Sequence, residues 1–371
     1  MYTVGDTTVH VADIGHETCK AGYASSEVPS IYEKREGRSL TEALTNTLEE
    51  LTDDLSSIPL INIEDPFMHR DMRKNVFSHI MESSLCSGLL FINGAVADCF
   101  SYGKSSGLMV RLCGNSTQVI PVIDGYCLSG GIKSSCGGES LTKVAYDLLK
   151  NKSKELGTDL LVPPTAIEER TRVSFEQMPI YKEKTTYTTL SEESKLPLQL
   201  DVAKCFKESI SFIGHCQPKY YEFSTGFSTR IFSERNIIPE KLFEKTDRTM
   251  DRLDPQKQIP GPIEPMGLLD MIKATMDSVD LDHYDMLLGN IMVSGGGSLI
   301  PGITERLQAD LMAMYPNARI KVNNDKRDFS TFFGGSILGS LGTACTLMIT
   351  KQDYEECGQS ALERKRSEWI K

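Results

Sequence analysis

Apolar and polar positions alternate through residues 8–24. "TTVHVADI", the polar turn "GHET" and "CKAGYA" read as two strands joined by a tight turn. From Leu40 the period changes. Leu40, Ala43, Leu44, Leu48, Leu51 and Leu55 recur at spacings of three and four, the stripe of an amphipathic helix. "IPLINIED" is a continuous apolar run ended by Pro66 and predicts a buried strand. "HRDMRKNVFSHIMESS" returns to helical spacing, and "GLLFINGAVADCFSYG" predicts a strand followed by a helix. A second strand-turn-strand unit, "GLMVRL", "CGNS" and "TQVIPVIDGY", echoes the first. Two such units, each followed by helices, suggest an internally duplicated α/β architecture.

"SCGGESLTKVAYDLLKNKSKEL" predicts a helix with Leu141, Val144, Ala145 and Leu148 on one face. Between about 150 and 200 the composition turns polar, which reads as an insertion or a mobile lobe rather than core. Helical spacing resumes over 201–212. A link rich in proline and glycine, ending at Gly267, leads into the helix "LLDMIKATMDSV". The chain closes with a strand at 290–293, a glycine run, a helix at 303–314, the strand "ARIKVNN" and the apolar helix "STFFGGSILGSLGTACTLMIT".

The length of 371 residues, with 40% hydrophobic and 25% charged residues, allows two domains or one large one. The net charge of -11 argues against unspecific nucleic-acid binding, which needs a clustered basic surface, and no direct specific nucleic-acid contact is expected. The one basic cluster, "ERKRSEWIK", reads as a solvated tail. Ten cysteines lie scattered without metal-ligand spacing, behind a polar N-terminus that does not read as an export signal. No apolar run approaches the ~18 residues a membrane span requires. The expectation is a soluble chain in a reducing compartment, cytosol or nucleus, away from membranes.

The chemistry starts at "IMVSGGGSLIPGI". Gly295, Gly296 and Gly297, with Ser298 after them, follow a strand and lead toward a helix. Backbone amides without Cβ atoms approach an anion closely, and a helix N-terminus adds partial positive charge. The run carries neither a Walker lysine nor the dinucleotide fingerprint, so a tight strand-helix turn explains it equally well. Asp13 and Lys20 flank the first hairpin turn, beside Gly15. They are the right types to order metal-bound water and to hold a phosphate. Lys207 and Glu208 are suited to a ribose or a base. Taken singly, each of these charged residues is as much at home in a surface ion pair.

Together these segments resemble actin and the actin-related proteins across nearly the whole chain. "IMVSGGGSLIPGITERLQADL" is similar to that family's adenosine loop. "FFGGSILGSLGT" with "ITKQDYEECG" is similar to its C-terminal signature, and "DIGHETCKAGYA" and "IPVIDGYCLSGGI" to its phosphate hairpins. "YYEFSTGFSTRIFSERNIIPEKLF" resembles its strand pair and following block. The resemblance implies an α/β actin-like fold, two ribonuclease-H-like lobes around a nucleotide cleft. Residues 1–101 and 330–371 would form the first lobe and 102–329 the second. It implies Asp13, Gly15, Lys20, Lys207, Glu208, Gly295, Gly296, Gly297 and Ser298 as the nucleotide contacts. "ELGTDLLVPPTAI" and "HCQPKYYEFSTGF" are most similar to the family's nuclear branch, which serves chromatin-remodelling and histone acetyltransferase complexes.

The departures from the family pattern bear on mechanism. In "VRLCGNSTQ", Arg111 stands at the family's acid and Leu112 at its serine. An arginine can neutralise phosphate but can neither ligate a cation nor accept a proton. The family's glutamine falls on Gly94 or Asn93, and its histidine near Ser116, so the three groups that position water for phosphoryl transfer are missing. His16 and Glu17 replace small residues in the first hairpin turn, and Asp328 replaces a basic residue over the adenine. Between Ser30 and Leu40 about ten polar residues replace a whole subdomain with its filament loop, which implies no self-polymerisation. The expectation is weak binding of ATP or ADP at most, no bound metal and no useful hydrolysis. The implied role is a nuclear, non-catalytic subunit of a multi-subunit chromatin complex. It would bind the helicase-SANT-associated helix of a remodeller ATPase near "SGGIKSS" and "TACTLMITKQDY", beside actin or another actin-related protein. The alternatives are a pointed-end actin-related protein of the dynactin type and a weak ATPase of the same fold.

Overall fold

A computed structural model describes residues 8–171, 173–215, 217–245, 249–253, 264–321 and 326–364. By its contacts the chain forms two compact units. One comprises Met1–Ser135, Thr246–Leu299 and Gln308–Lys371; the other comprises Cys136–Lys245 and Ile300–Leu307.

The first unit contains two sheets. Strands β1 (His10–Ile14), β2 (Thr18–Tyr23) and β3 (Ile31–Lys34) form an antiparallel meander, and β1 continues in parallel into β4 (Leu60–Glu64) and β5 (Gly88–Asn93). Every residue of β4 and β5 is buried, as unbroken apolar runs require when helices cover both faces of a sheet. On one face lie α1 (Leu40–Leu51) and α2 (Arg70–Glu82), packing Leu44, Leu48, Phe77 and Ile80 onto Leu60, Leu89 and Phe91. Each such buried side chain contributes roughly 1.5–3 kcal/mol. Only residues 35–39 connect β3 to α1, as short a link as the resemblance implies. Ser39 starts α1 with a capping box to Glu42, which fixes the short connection.

Helix α3 (Gly94–Ser101) links the two sheets, leading from β5 of the first into β6 (Gly107–Leu112) of the second. Then come β7 (Thr117–Ile123), β8 (Tyr126–Cys127) and β9 (Ile132–Ser134). Helix α3 packs Ala95, Val96 and Cys99 against Met109, Ile120, Val122 and Met292 of this sheet, while Ala97 joins the apolar cluster on the first.

The second unit starts with α4 (Gly138–Leu156) and a two-stranded ribbon, β10 (Ile167–Thr171) with β11 (Ile180–Glu183). Next come α5 (Thr185–Thr188), α6 (Glu192–Ile210), the ribbon of β12 (Lys219–Glu222) and β13 (Ser228–Ile231), and α7 (Glu234–Glu240). The stretch 150–200 therefore departs from the expected polar insertion: Val162, Ala166 and Tyr187 bury themselves in a small core with Leu198 packed against it. Helix α6 also begins nine residues before the expected 201. Pro197 reads as a breaker but sits inside the helix, where it forfeits one backbone hydrogen bond.

The chain then completes the second sheet with β14 (Met250–Arg252), and after α8 (Leu268–Met276) and α9 (Tyr284–Leu288) with β15 (Ile291–Ser294). Helix α10 (Ile303–Met314) leads to β16 (Ile320–Lys321), giving the order β14-β9-β7-β6-β15-β16. Helix α11 (Ser330–Ser340) crosses α3 so closely that a Cβ on Gly334 would lie 1.6 Å from the Ala97 carbonyl oxygen. Helix α12 (Ala344–Leu347) precedes β17 (Ile349–Thr350), which adds antiparallel to β5, and α13 (Lys351–Cys357) and α14 (Ala361–Arg364) finish the described chain. Part of the predicted strand "ARIKVNN", most of the link before Gly267 and the tail from 365 lie outside the described residues. None of the described helices is long and apolar enough to cross a membrane.

Candidate functional site: two hairpins and a glycine turn

The first hairpin closes with the Gly15 amide donating to the Thr18 carbonyl at 2.8 Å. Asp13 and Lys20 are cross-strand partners in β1 and β2, so their side chains share a face. Lys20 Nζ lies 3.3 Å from Asp13 Oδ2 and donates to the backbone carbonyl of Asp328 at 2.8 Å. The turn's Glu17 reaches to the second hairpin, where a Cβ on Gly114 would stand 2.8 Å from its Oε1. A carboxylate thus stands between the two turns.

The centre of the unit is a buried polar network that strand register assembles. Arg111 on β6 pairs with Gln118 on β7 and with Ser294 on β15. Three polar side chains thereby fall side by side at the ends of largely apolar strands. Facing them, Gly94 and Asp98 lie four residues apart on one side of α3. Asp98 is completely buried. Its Oδ2 accepts from Arg111 Nε at 2.7 Å and Ser294 Oγ at 2.8 Å, and its Oδ1 from Ser330 Oγ at 2.7 Å and Thr331 Oγ1 at 2.9 Å. Four donors fill the acceptor capacity of a carboxylate.

Arg111 Nη1 donates to Gln118 Oε1 at 2.9 Å, and Gln118 Nε2 donates onward to Asp65 Oδ2 at 3.0 Å and Ser116 Oγ at 3.3 Å. Asp65 ends the chain beside Lys133 Nζ at 3.6 Å. Burial opposes the charge on Arg111, but the adjacent Asp98 more than offsets it and raises the pKa above that of ordinary arginine. The neighbouring Cys113 thiol is pushed up by burial, against the pull of Arg111, and stays protonated. Arg111, which the sequence places at the family's acid, is bound to a carboxylate and an amide.

Gly295 adopts φ 86°, and a Cβ there would lie 2.5 Å from the Leu112 carbonyl oxygen. On Gly297 it would lie 2.9 Å from Leu112 Cβ, whereas nothing comes within 4 Å of one on Gly296. Two of the three glycines are therefore required by the approach of this loop to the end of β6. Ser298 turns inward and donates its hydroxyl to the Gly295 carbonyl at 2.6 Å. Gly296 and Gly297 open a turn of 3-10 helix that runs to Leu299, ahead of α10.

In the second unit, Lys207 Nζ donates to the Gly138 carbonyl and the Thr142 hydroxyl, both at 3.0 Å, tying α6 to the start of α4. Glu208, the next residue, is exposed. The structure joins Asp13 with Lys20 and gathers Gly295, Gly296, Gly297 and Ser298 in one loop. Sequence reasoning missed Asp98, Gln118 and Asp65. The available signal was a lone acid in "GAVADCF" and a lone base in "GLMVRL", opposite charges stranded in two apolar runs.

Comparison with known proteins gives a consistent picture. The family description "Actin" matches residues 35–367, a span that starts after the first hairpin. The chain is 29% identical to Actin-related protein 4 of Emericella nidulans over 339 residues, 84% of this chain and 71% of that one. It is 27% identical over 342 residues to Actin-related protein 4 of Gibberella zeae, covering 85% and 70% of the two chains. With Actin-related protein 4 of Arabidopsis thaliana it shares 27% identity over 334 residues, 84% and 72%.

Proposed function

This chain belongs to the actin family, and on that premise we propose that it is a non-catalytic actin-related subunit of nuclear chromatin-remodelling or histone acetyltransferase complexes. The family fold is a nucleotide-binding fold, so the residues present must be weighed against ATP or ADP with a divalent metal. Asp13, Gly15, Lys20 and the glycine loop suit a nucleotide's anionic and purine parts. The phosphate end fits poorly. Glu17 sets a carboxylate between the two hairpin turns, and Arg111 sets a fixed cation where the family has the acid that orders metal and water. The observation that carries the reading is the Arg111–Asp98 pair: no base or metal ligand stands at that position of the second hairpin. Lys207, with its ammonium held by α4, and the exposed Glu208 are proposed at most as outer contacts to a base.

Lobes of 1–101 with 330–371 and of 102–329 are proposed because that division leaves each sheet whole, although by contacts both sheets share one compact unit. The partner reading draws on the similarity to three proteins named Actin-related protein 4 and on the C-terminal segment, where Leu341 and Leu347 are 47% and 55% exposed. Such leucines suit the apolar face of a long helix from a remodeller ATPase. Actin or another actin-related protein would sit alongside.

Two experiments test the reading. Purified protein incubated with labelled ATP releases phosphate no faster than buffer, and Arg111→Asp alone does not create turnover; robust turnover by the natural chain refutes the non-catalytic role. Affinity purification of the tagged chain from its own cells recovers remodeller ATPases and actin. Recovery of dynein-dynactin subunits in their place would move the protein to the cytoskeleton.

A further inference from the structure

We infer that the chain Asp98–Arg111–Gln118–Asp65 is a built-in clasp that fastens the two sheets of the first unit by side chains alone, so that its shape depends on neither nucleotide nor metal. Asp65 follows β4 and Asp98 lies on the helix after β5, both from the first sheet's half of the chain; Arg111, Gln118 and Ser294 belong to β6, β7 and β15 of the second. The bonds from Arg111 and Ser294 to Asp98, and from Gln118 to Asp65, therefore run from one sheet's elements to the other's. Ser330 and Thr331, at the start of α11, close the remaining side of Asp98.

A divalent cation does not suit this arrangement. The positive charge that Asp98 requires is already supplied by Arg111, and Lys133 lies beside Asp65, so a second cation meets repulsion rather than open ligands. Space has been given up as well: the guanidinium lies beside Gly94, where a Cβ would stand 2.7 Å from Nη2, and Glu17 lies against Gly114. The fourfold satisfaction of Asp98 makes the pair an asset to the fold rather than a buried charge defect.

The inference rests on the non-catalytic reading but fails separately from it. The full chain is melted after apyrase and EDTA treatment, and again in millimolar Mg-ATP. Equal Tm values are expected; a rise of more than about 3 °C overturns the clasp, because a ligand that binds only the native state must raise Tm. Such a rise without phosphate release would sink the clasp and leave the non-catalytic reading standing. Gln118→Ala provides a second arm, since it cuts the middle link and keeps the Asp98–Arg111 pair. Hydrogen exchange is expected to quicken in Gly94–Ser101 and Ser330–Ser340 and to stay unchanged in the β10–β11 ribbon. Unchanged exchange in both helices overturns the clasp even where the Tm values agree.

Discussion

The guanidinium of Arg111 occupies the space that a side chain at Gly94 would need, with a Cβ there only 2.7 Å from Nη2. The two positions are coupled: the absence of a side chain at Gly94 on α3 makes room for the arginine on β6. Gly94→Gln should therefore not rebuild a water-positioning site. It should destabilise the fold by about 1–3 kcal/mol through overpacking, read as a lower urea midpoint, with phosphate release staying at background.

Asp98 carries the heavier penalty. Asp98→Ala leaves Arg111 buried without its counter-ion, strips the Ser294 and Thr331 hydroxyls of their carboxylate acceptor and leaves Ser330 only the Arg327 carbonyl. The expected loss is about 3–5 kcal/mol in denaturant unfolding, while the double variant Asp98→Leu with Arg111→Met recovers much of it. A double variant no more stable than Asp98→Ala would show that the pair contributes more than charge balance.

The glycine run separates into two classes. Gly295→Ala meets a positive φ and the Leu112 carbonyl at 2.5 Å, so it should lower Tm by several degrees. Gly296→Ala has open space around it and should leave Tm within about 1 °C of the natural chain. Equal effects at the two positions would refute the packing explanation of the loop.

The crossing of α3 and α11 tolerates no added methyl at its centre. Gly334→Ala would press against the Ala97 carbonyl at 1.6 Å and force the helices apart, costing about 3 kcal/mol or giving insoluble protein. Gly342→Ala, with nothing within 4 Å, serves as the control and should fall within about 0.5 kcal/mol of the natural chain.

His10 gives a pH dependence. Its ring is fully buried against Tyr23, neither nitrogen has a hydrogen-bond partner among the described residues, and burial lowers its pKa. The folded chain thus holds a neutral imidazole, while the unfolded chain takes up a proton below its usual value of about 6.5. The stabilisation is complete above that pH and is lost as pH falls through and below it. His10→Leu should narrow the difference between urea midpoints at pH 7.5 and 5.5; an unchanged difference would assign the acid sensitivity elsewhere.

Much of this is legible in the amino-acid sequence. Period-two and period-four patterns place β1, β2, α1, α2, β4 and β5, and the glycine run marks a strand leaving its sheet, because backbone geometry and burial act over neighbouring residues. A lone arginine in the apolar run around Arg111 and a glycine at Gly94 are visible as residue types. The helical start of 192 was not, since Pro197 obeys a local rule that packing of Val202, Ala203 and Phe206 overrides. Nor was the pairing itself. Asp98 meets Arg111 across 13 residues, Ser294 across 196 and Ser330 across 232. Those meetings depend on the register of three strands and the crossing of two helices, which only the closed fold fixes. The sequence by itself determined which charges the interior must hold. The tertiary structure decided that they hold one another, because a charge taken out of water is stable only where its partner is brought to it.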